Sequence, residues 1–273
     1  NREIIVRELE KNEIDVATMP DGFVVAWAAG EVFSFDSDFE VRARVFDAEA
    51  NPLGTEWVVG QEGMRGPEVA ANNAGHFMVA WATDRLVDYP IPSHVLARTF
   101  EPDGSPAGAE FEVSTPGDDA SFYQRTDAGS YGLDAAVADD AFVVVWSSGY
   151  PYEDVGGSFD GDGVGLFTRD FVSAGTPLGI EKQVNEDGSG DQVEPALALA
   201  DDGRVLVVWD GEKGPFGRVF ERFARFCGDA DESGEISSTD ALATLQVAVR
   251  TRDCHACVCD ADGSTNVAAS DAL

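Results

Sequence analysis

The sequence predicts an all-β fold, a β-propeller of four four-stranded blades, followed by a small α-helical module that binds calcium. Three observations support this expectation. One apolar segment that ends in tryptophan recurs four times within residues 1–226. Turns rich in Asp, Asn, Gly and Pro separate short apolar stretches within each repeat, which is typical of propeller blades. Two Asp-rich loops with the same spacing occupy residues 227–273.

The recurrent apolar segment predicts the second strand of each blade. Its four copies occupy residues 23–27 (FVVAW), 77–81 (FMVAW), 142–146 (FVVVW) and 205–209 (VLVVW), so successive tryptophans are 54, 65 and 63 residues apart. Strands this apolar are expected to be buried on both faces of a sheet. We therefore predict that the four tryptophans are core residues that pack between neighbouring blades, and not a stacking platform for sugars.

Three further strands are predicted in each repeat. A short alternating stretch precedes each apolar segment. An Arg-x-Phe strand follows it, at Arg44/Phe46, Arg98/Phe100, Arg169/Phe171 and Arg218/Phe220. In the first three repeats a turn with Pro and Gly then leads to a last strand with the pattern Glu-x-x-Val, which begins at Glu56, Glu110 and Glu181. The predicted blades span residues 10–61, 62–116, 130–186 and 193–226.

The fourth repeat lacks this last strand before Cys227. Residues 3–6 (EIIV) fit the missing pattern, so residues 1–9 are predicted to complete the fourth blade. Closing the ring in this way would remove an open strand edge that otherwise invites aggregation. A longer upstream chain or a partner subunit that supplies further blades is the alternative. The repeat unit resembles those of large bacterial secreted and surface proteins, which implies an exported location but no single activity.

The strongest chemical motif is a pair of loops that predicts two calcium sites. Calcium needs oxygen ligands at alternating loop positions, because the chain must curl around one large hard cation. The first loop offers Asp229, Asp231, Ser233, Glu235, Ser237 and Asp240, and the second, 31 residues later, offers Asp260, Asp262, Ser264, Asn266 and Asp271. Gly234 permits the sharp turn of the first loop, whereas Thr265 stands at the same position of the second. Ca²⁺ is therefore the predicted cofactor.

Two such loops, each followed by one helix, resemble a type I dockerin, and the resemblance covers about residues 227–273. Residues 241–249 are predicted to form the first helix, with Leu242, Leu245 and Val249 on one face. The resemblance implies calcium-dependent folding and docking of the helices onto a cohesin-like protein. Leu273 opens the second helix, so the module is expected to be incomplete at its C-terminal end or to be completed by another chain.

The four cysteines all fall within this C-terminal module, at Cys227, Cys254, Cys257 and Cys259. A zinc site would need two well-spaced ligand pairs, whereas three of these cysteines are crowded together. Disulfides are therefore favoured, although a Cys257–Cys259 bond would close a strained ring. Two pairings remain open: Cys227–Cys259 with Cys254–Cys257, or Cys227–Cys257 with Cys254–Cys259. Either one predicts an oxidising compartment, and hence a secreted or cell-surface protein.

Charge and motif content exclude several classes of function. The 273 residues include 51 acidic and 18 basic ones, for a formal net charge of −33 at pH 7. A protein that binds phosphate backbones needs a basic surface, so nucleic acid is not an expected partner. No apolar segment approaches the ~18 residues of a membrane helix. No nucleophile elbow, phosphate loop or HExxH motif is present, and in so acidic a chain a glycosidase pair cannot be picked out.

Together these features predict a secreted, calcium-binding, non-catalytic protein that acts in binding or assembly at the cell surface or in the extracellular matrix. The expected partner is a cohesin-like protein or further copies of this chain, and a glycan is a further candidate. One alternative is a self-assembling structural subunit of an extracellular filament or surface layer, formed as a homo-oligomer. A second alternative is an enzyme with a carbohydrate-active centre on the propeller axis. No catalytic residue is predicted.

Overall fold

The computed structural model describes residues 14–29, 40–60, 65–83, 94–114, 132–138, 141–149, 163–172, 175–200 and 204–221. These ranges contain fifteen strands and no helix, arranged as four antiparallel sheets in chain order. Each sheet follows one predicted repeat, and the innermost strands of successive sheets contact one another. The all-β fold of four blades is thus confirmed for these residues. They include no helix long and apolar enough to cross a membrane.

Within each blade the strands are hydrogen-bonded in chain order, from the innermost to the outermost. Blade 1 consists of β1 (Ile14–Met19), β2 (Gly22–Ala29), β3 (Glu40–Asp47) and β4 (Trp57–Gly60). Blade 2 consists of β5 (Arg65–Ala71), β6 (Phe77–Ala82), β7 (Val95–Phe100) and β8 (Phe111–Glu112). Blade 3 consists of β9 (Leu133–Ala138), β10 (Ala141–Gly149), β11 (Val164–Val172) and β12 (Lys182–Gln183). Blade 4 has three strands in the described part of the chain: β13 (Gln192–Leu199), β14 (Arg204–Gly211) and β15 (Gly214–Glu221).

The repeat tryptophans of blades 2 to 4 pack between blades, as the sequence predicts. Trp81 of blade 2 lies in one buried cluster with Ala26 of blade 1. Trp146 of blade 3 lies in another with Ala80 of blade 2, and Trp209 of blade 4 packs against residues of blade 3. The tryptophan-bearing face of each of these blades therefore covers the opposite face of the blade before it.

Strand β14 departs from the prediction that each apolar strand is buried on both faces. Strand β6 is buried along its whole length. In β14, by contrast, Val205, Val207 and Trp209 are buried, whereas Leu206 and Val208 are 40% and 41% exposed. The prediction is wrong for this strand, because in the described part of the chain its hydrophobic cluster forms only on the side that faces blade 3.

The Arg-x-Phe motif has a structural role that repeats from blade to blade. Each guanidinium lies over the ring of the phenylalanine two residues later, at 5.7 to 6.0 Å from its centroid. In blades 2 to 4 it also donates a hydrogen bond to a valine carbonyl of the preceding blade, and we name these contacts the arginine latches. They join Arg98 to Val59 (3.4 Å), Arg169 to Val113 (3.2 Å) and Arg218 to Val184 (2.7 Å). In blade 1 Arg44 donates instead to the carbonyl of Gly54 in its own blade.

A tight turn in blade 2 requires the absence of a side chain at Gly104. This residue has φ of +85°, and a Cβ added there would lie 2.7 Å from the ring of Trp57 in blade 1. We expect Gly104→Ala to lower the free energy of unfolding by about 2–4 kcal/mol, because it combines left-handed backbone strain with a steric clash. Urea denaturation of the full chain measures this loss.

Gly54→Ala is the matched control for this clash. Gly54 also has a positive φ, +105°, but no atom lies within 4 Å of the position a Cβ would take. It should lose roughly 1 kcal/mol from backbone strain alone. Equal losses for the two variants would contradict a steric role for Trp57.

Several predictions concern residues outside the described ranges. The completion of blade 4 by residues 1–9 and the helix at residues 241–249 both fall there. They stay predictions.

Candidate active site on the propeller axis

An acidic residue occupies the same register position in the innermost strands of three successive blades. The three residues are Asp15, Glu68 and Asp134, and each lies opposite the residue that immediately precedes a repeat tryptophan. The innermost strands of a propeller surround its central axis. The repeat therefore places three half-buried carboxyl groups around this axis, and we name them the axial carboxyl groups.

The environment of Asp134 favours its protonated form. Burial raises the pKa of this carboxyl group above its ordinary value, and the negative charge of Asp15 raises it further. Two backbone hydrogen bonds oppose the shift: Oδ2 accepts from the N–H of Leu197 in blade 4 (2.5 Å), and Oδ1 accepts from the N–H of Ala135 (2.8 Å). Burial is the largest of these effects, so the net pKa is raised.

Asp15, like Asp134, accepts a hydrogen bond from the main chain of the next blade. Its Oδ2 accepts a hydrogen bond from the N–H of Val69 in blade 2, at 2.8 Å. Main-chain donors thus fix the orientation of both Asp15 and Asp134, as a preorganised site requires. Because the charge of Asp15 in blade 1 acts on Asp134 in blade 3, the two groups are coupled electrostatically across the axis.

Blade 4 breaks this pattern. The pairing of β13 with β14 has an irregularity between Val193 and Ala196, and Ala196 takes the position opposite Val208. Within this bulge Glu194 has φ of +54°, a left-handed conformation that is uncommon for a residue with a Cβ. Gly66 and Gly132, two residues before Glu68 and Asp134, have φ of +57° and +52°, so this left-handed position recurs from blade to blade. Glu194 is thus a fourth acidic residue on an innermost strand, and it lies two residues before Ala196, which takes the register position of the other three.

The axial carboxyl groups have the chemistry of an acid–base pair. Such a pair needs one group that holds its proton to higher pH and a neighbouring group that is charged. Asp134, whose pKa is raised, is the group that holds its proton. Asp15 is the charged group, because its negative charge acts on Asp134. The arrangement can assist the cleavage of a bond whose leaving oxygen needs a proton.

The site residues predicted from the sequence lie outside the described residues. The calcium ligands in residues 229–240 and 260–271 and the four cysteines all belong to this part of the chain, and they stay predictions. Pattern reasoning missed the axial acids, although the sequence carries a signal for them. An acidic residue stands 12 positions before Trp27 and Trp146 and 13 positions before Trp81. The extra residue in blade 2 lies in the longer turn between β5 and β6, which hides the shared register.

Comparison with known proteins bears on the fold. No protein-family profile matches the sequence, and no curated protein matches it. An endo-arabinase from Bacteroides thetaiotaomicron aligns with TM-score 0.45 and 11% identity over 77% of this chain and 74% of that one. A GH43 endo-arabinanase from Bacillus licheniformis aligns with TM-score 0.39 and 8% identity over 76% and 72%. An α-L-arabinofuranosidase from Lactobacillus brevis aligns with TM-score 0.34 and 11% identity over 72% and 68%.

The solved structures of similar fold contradict the non-catalytic role expected from the sequence. A binding or assembly protein without enzymatic activity was the expectation, whereas the solved structures of similar fold are arabinanases and an arabinofuranosidase, which are enzymes. That prediction is wrong. The expectation of a structural protein that binds calcium and carries a dockerin-like module at residues 227–273 is not supported by these neighbours either.

Proposed function

We propose that the chain is a carbohydrate-active enzyme that hydrolyses glycosidic bonds at the axial carboxyl groups. The observation that supports this proposal most directly is the placement of Asp15, Glu68 and Asp134 at one register position around the axis, where burial and, to a smaller extent, the charge of Asp15 raise the pKa of Asp134. Glycoside hydrolysis commonly uses two carboxyl groups. One protonates the leaving oxygen, and the other activates water or attacks the sugar.

Asp134 is the proposed proton donor. Its proton stays in place to higher pH than that of an exposed aspartic acid, so it is available to the glycosidic oxygen. Asp15 is the proposed second carboxylate, which acts as base or nucleophile. The hydrogen bonds from Val69 and Leu197 hold both groups in position, so little reorganisation is needed during the reaction. Glu68, at the same level on blade 2, is proposed to accept hydrogen bonds from sugar hydroxyls.

Charge narrows the proposed substrate class. The chain carries a formal charge of −33, and the site itself is lined by acids. Substrates that bear phosphate, sulfate or carboxylate groups are repelled by such a field. Neutral sugars instead offer hydroxyl groups that donate hydrogen bonds to carboxylates. We therefore propose neutral glycans as substrates, and the predicted extracellular location suits an enzyme that acts on polymeric glycans.

A hydrolysis screen tests this proposal. The full-length chain is incubated with a panel of neutral polysaccharides, and with polygalacturonate as an acidic comparison, and the release of reducing ends is measured. We expect release from at least one neutral glycan and none from polygalacturonate. The double variant Asp15→Asn/Asp134→Asn should release nothing. Equal release by the double variant, or no release from any neutral glycan by the native chain, would contradict the proposal.

A further inference from the structure

Blade 4 carries a cleft that is separate from the axial carboxyl groups. Its volume is about 260 Å³, and it lies between the hairpin of β14 and β15 and residues 186–192, which lead into β13. Trp209 and Phe216 form its aromatic wall, with stacked rings whose centroids are 6.1 Å apart. Phe216 is 41% exposed, so an aromatic ring is presented to whatever enters the cleft.

The cleft arises where blade 4 has a short hairpin. The second and third strands are joined by ten, twelve and fourteen residues in blades 1 to 3, at 30–39, 83–94 and 150–163. In blade 4 only Glu212 and Lys213 join them. The repeat tryptophans of blades 1 to 3 are at most 1% exposed, whereas Trp209 is 9% exposed. The short connection thus coincides with an opening beside the fourth tryptophan.

The wall opposite the hairpin is held by buried hydrogen bonds. The side chains of Asn185 and Gln192, which are 3% and 4% exposed, are joined by a bond of 2.8 Å from Nδ2 to Oε1. Gln192 also donates to the carbonyls of Ser189 (3.0 Å) and Gly190 (2.8 Å). A recess that is preformed in this way binds a ligand without a large ordering cost.

The charges around the cleft are nearly balanced. Lys213 lies 3.4 Å from Asp187. Arg218 lies 2.8 Å from Glu186. Glu212 is the third carboxylate, and it has no hydrogen-bond or ionic partner among the described residues. Three carboxylates would repel a phosphate group here. A cation is also disfavoured, because two of the three carboxylates already form ion pairs.

This balance favours a neutral ligand that has an apolar face and hydroxyl donors. Hydrogen bonds from Ser189, together with the charge of Lys213, lower the pKa of Asp187, so this side chain remains an ionised acceptor. Glu212 supplies a second acceptor, and Phe216 supplies the flat apolar surface. A sugar ring matches this combination, because its C–H face packs on an aromatic ring while its hydroxyl groups donate to carboxylates.

The cleft and two of the axial carboxyl groups lie toward the same end of the innermost strands. Gln192, at the start of β13, pairs with Gly211 at the end of β14. Asp15 and Asp134 are the second residues of β1 and β9. All of these positions lie where the innermost strands begin. One extended ligand therefore has access to both places from the same side.

We infer that the cleft is a second sugar-binding site, which holds one unit of a neutral oligosaccharide or polysaccharide away from the bond that is cleaved. This inference rests on the proposed function and extends it to the length of the substrate. The bound sugar ring stacks on Phe216, and its hydroxyl groups donate to Glu212 and Asp187. The substrate class is then a chain of several sugars, and not a glycoside of a single sugar.

Binding by an inactive chain tests this inference. The full-length Asp15→Asn/Asp134→Asn protein is titrated with neutral arabino- and xylo-oligosaccharides of increasing length, and affinity is measured by isothermal titration calorimetry. Adding Phe216→Ala should weaken binding of the longest oligosaccharides about tenfold, and adding Glu212→Gln should weaken it about threefold. Val219→Ala is the matched control, because Val219 lies on the same strand, is 58% exposed and does not line the cleft. Its affinity should equal that of the parent.

The outcomes separate this inference from the proposed function. If the Phe216→Ala protein binds the longest oligosaccharides as tightly as its parent, or if the parent binds none, the inference is overturned even where hydrolysis is observed. If binding depends on Phe216 while the native chain cleaves no glycan, the cleft stands as a sugar site and the proposed function fails. Circular dichroism checks that each variant is folded, and Glu212→Gln decides the question should Phe216→Ala unfold.

Discussion

Replacing Asp134 with Asn is expected to lower kcat by about 10³ on substrates with a poor leaving group. A positioned general acid typically contributes about 10²–10⁴ to the rate. Asn has nearly the same shape and can still accept the N–H of Leu197, but it cannot transfer a proton to the glycosidic oxygen. An aryl glycoside with an acidic phenol as leaving group should lose far less activity, because that group departs without protonation. Steady-state kinetics on both substrates measure the difference.

The pH profile of this variant should change in a defined direction. Because the pKa of Asp134 is raised, the native acid loses its proton as pH rises through that raised value, and kcat/KM falls on the alkaline side. Asp134→Asn should remove this alkaline limb. The stability linked to the same proton has the same sign: it is complete below the ordinary pKa of Asp and is lost as pH rises through the raised pKa.

Asp15→Asn is the companion variant that separates the two proposed roles. It should lose activity on both kinds of substrate, because the second carboxylate is needed whatever the leaving group. Native-like activity of Asp134→Asn on poor leaving groups would remove Asp134 from the role of proton donor. Native-like activity of Asp15→Asn would remove Asp15 from the role of base or nucleophile.

Truncation of a tryptophan between blades is expected to be the most destabilising single change in the core. Trp146 is 1% exposed and packs in the cluster that joins blades 2 and 3, with Phe167 stacked at 6.4 Å. Trp146→Ala should lower the free energy of unfolding by about 3–5 kcal/mol, because it leaves a large cavity at the interface. Urea denaturation followed by circular dichroism measures the loss.

Two further variants make this result interpretable. Trp146→Phe keeps an aromatic ring, should lose about 1–2 kcal/mol and remains measurable if the alanine variant does not fold. Val219→Ala removes an exposed side chain and should change stability by less than about 0.5 kcal/mol. A loss below about 1 kcal/mol for Trp146→Ala would show that the blades do not depend on this contact.

The repeated strands were predictable because their signals are local. An apolar segment that ends in Trp indicates a strand from its own residues alone, and the turns around it are rich in Asp, Asn, Gly and Pro. The role of the Arg-x-Phe motif was not predictable, since the partner of Arg169 is the carbonyl of Val113, 56 residues earlier in the chain. The exposure of one face of β14 was not predictable either, because it depends on which sheets pack together, and no pattern within the strand reveals this.

The axial site was hidden for a different reason. Among 51 acidic residues, Asp15, Glu68 and Asp134 are set apart by their register opposite the second strand, which the sequence does not display. The count of residues before the tryptophan also varies, because the turn between the first two strands is longer in blades 2 and 4 than in blades 1 and 3. The electrostatic coupling of Asp15 to Asp134 joins residues 119 positions apart, which only the stacking of blades brings together.

The arginine latches have a consequence for how such a chain grows in evolution. Each latch joins a side chain of one repeat to a main-chain carbonyl of the repeat before it. A main-chain carbonyl is present whatever the side chain is, so the acceptor needs no matching mutation. A duplicated repeat therefore already carries the arginine that can form this hydrogen bond with the repeat before it. Gene duplication can then change the number of blades without requiring a new interface. Individual blades, such as blade 4 with its short hairpin, can then evolve a binding site of their own.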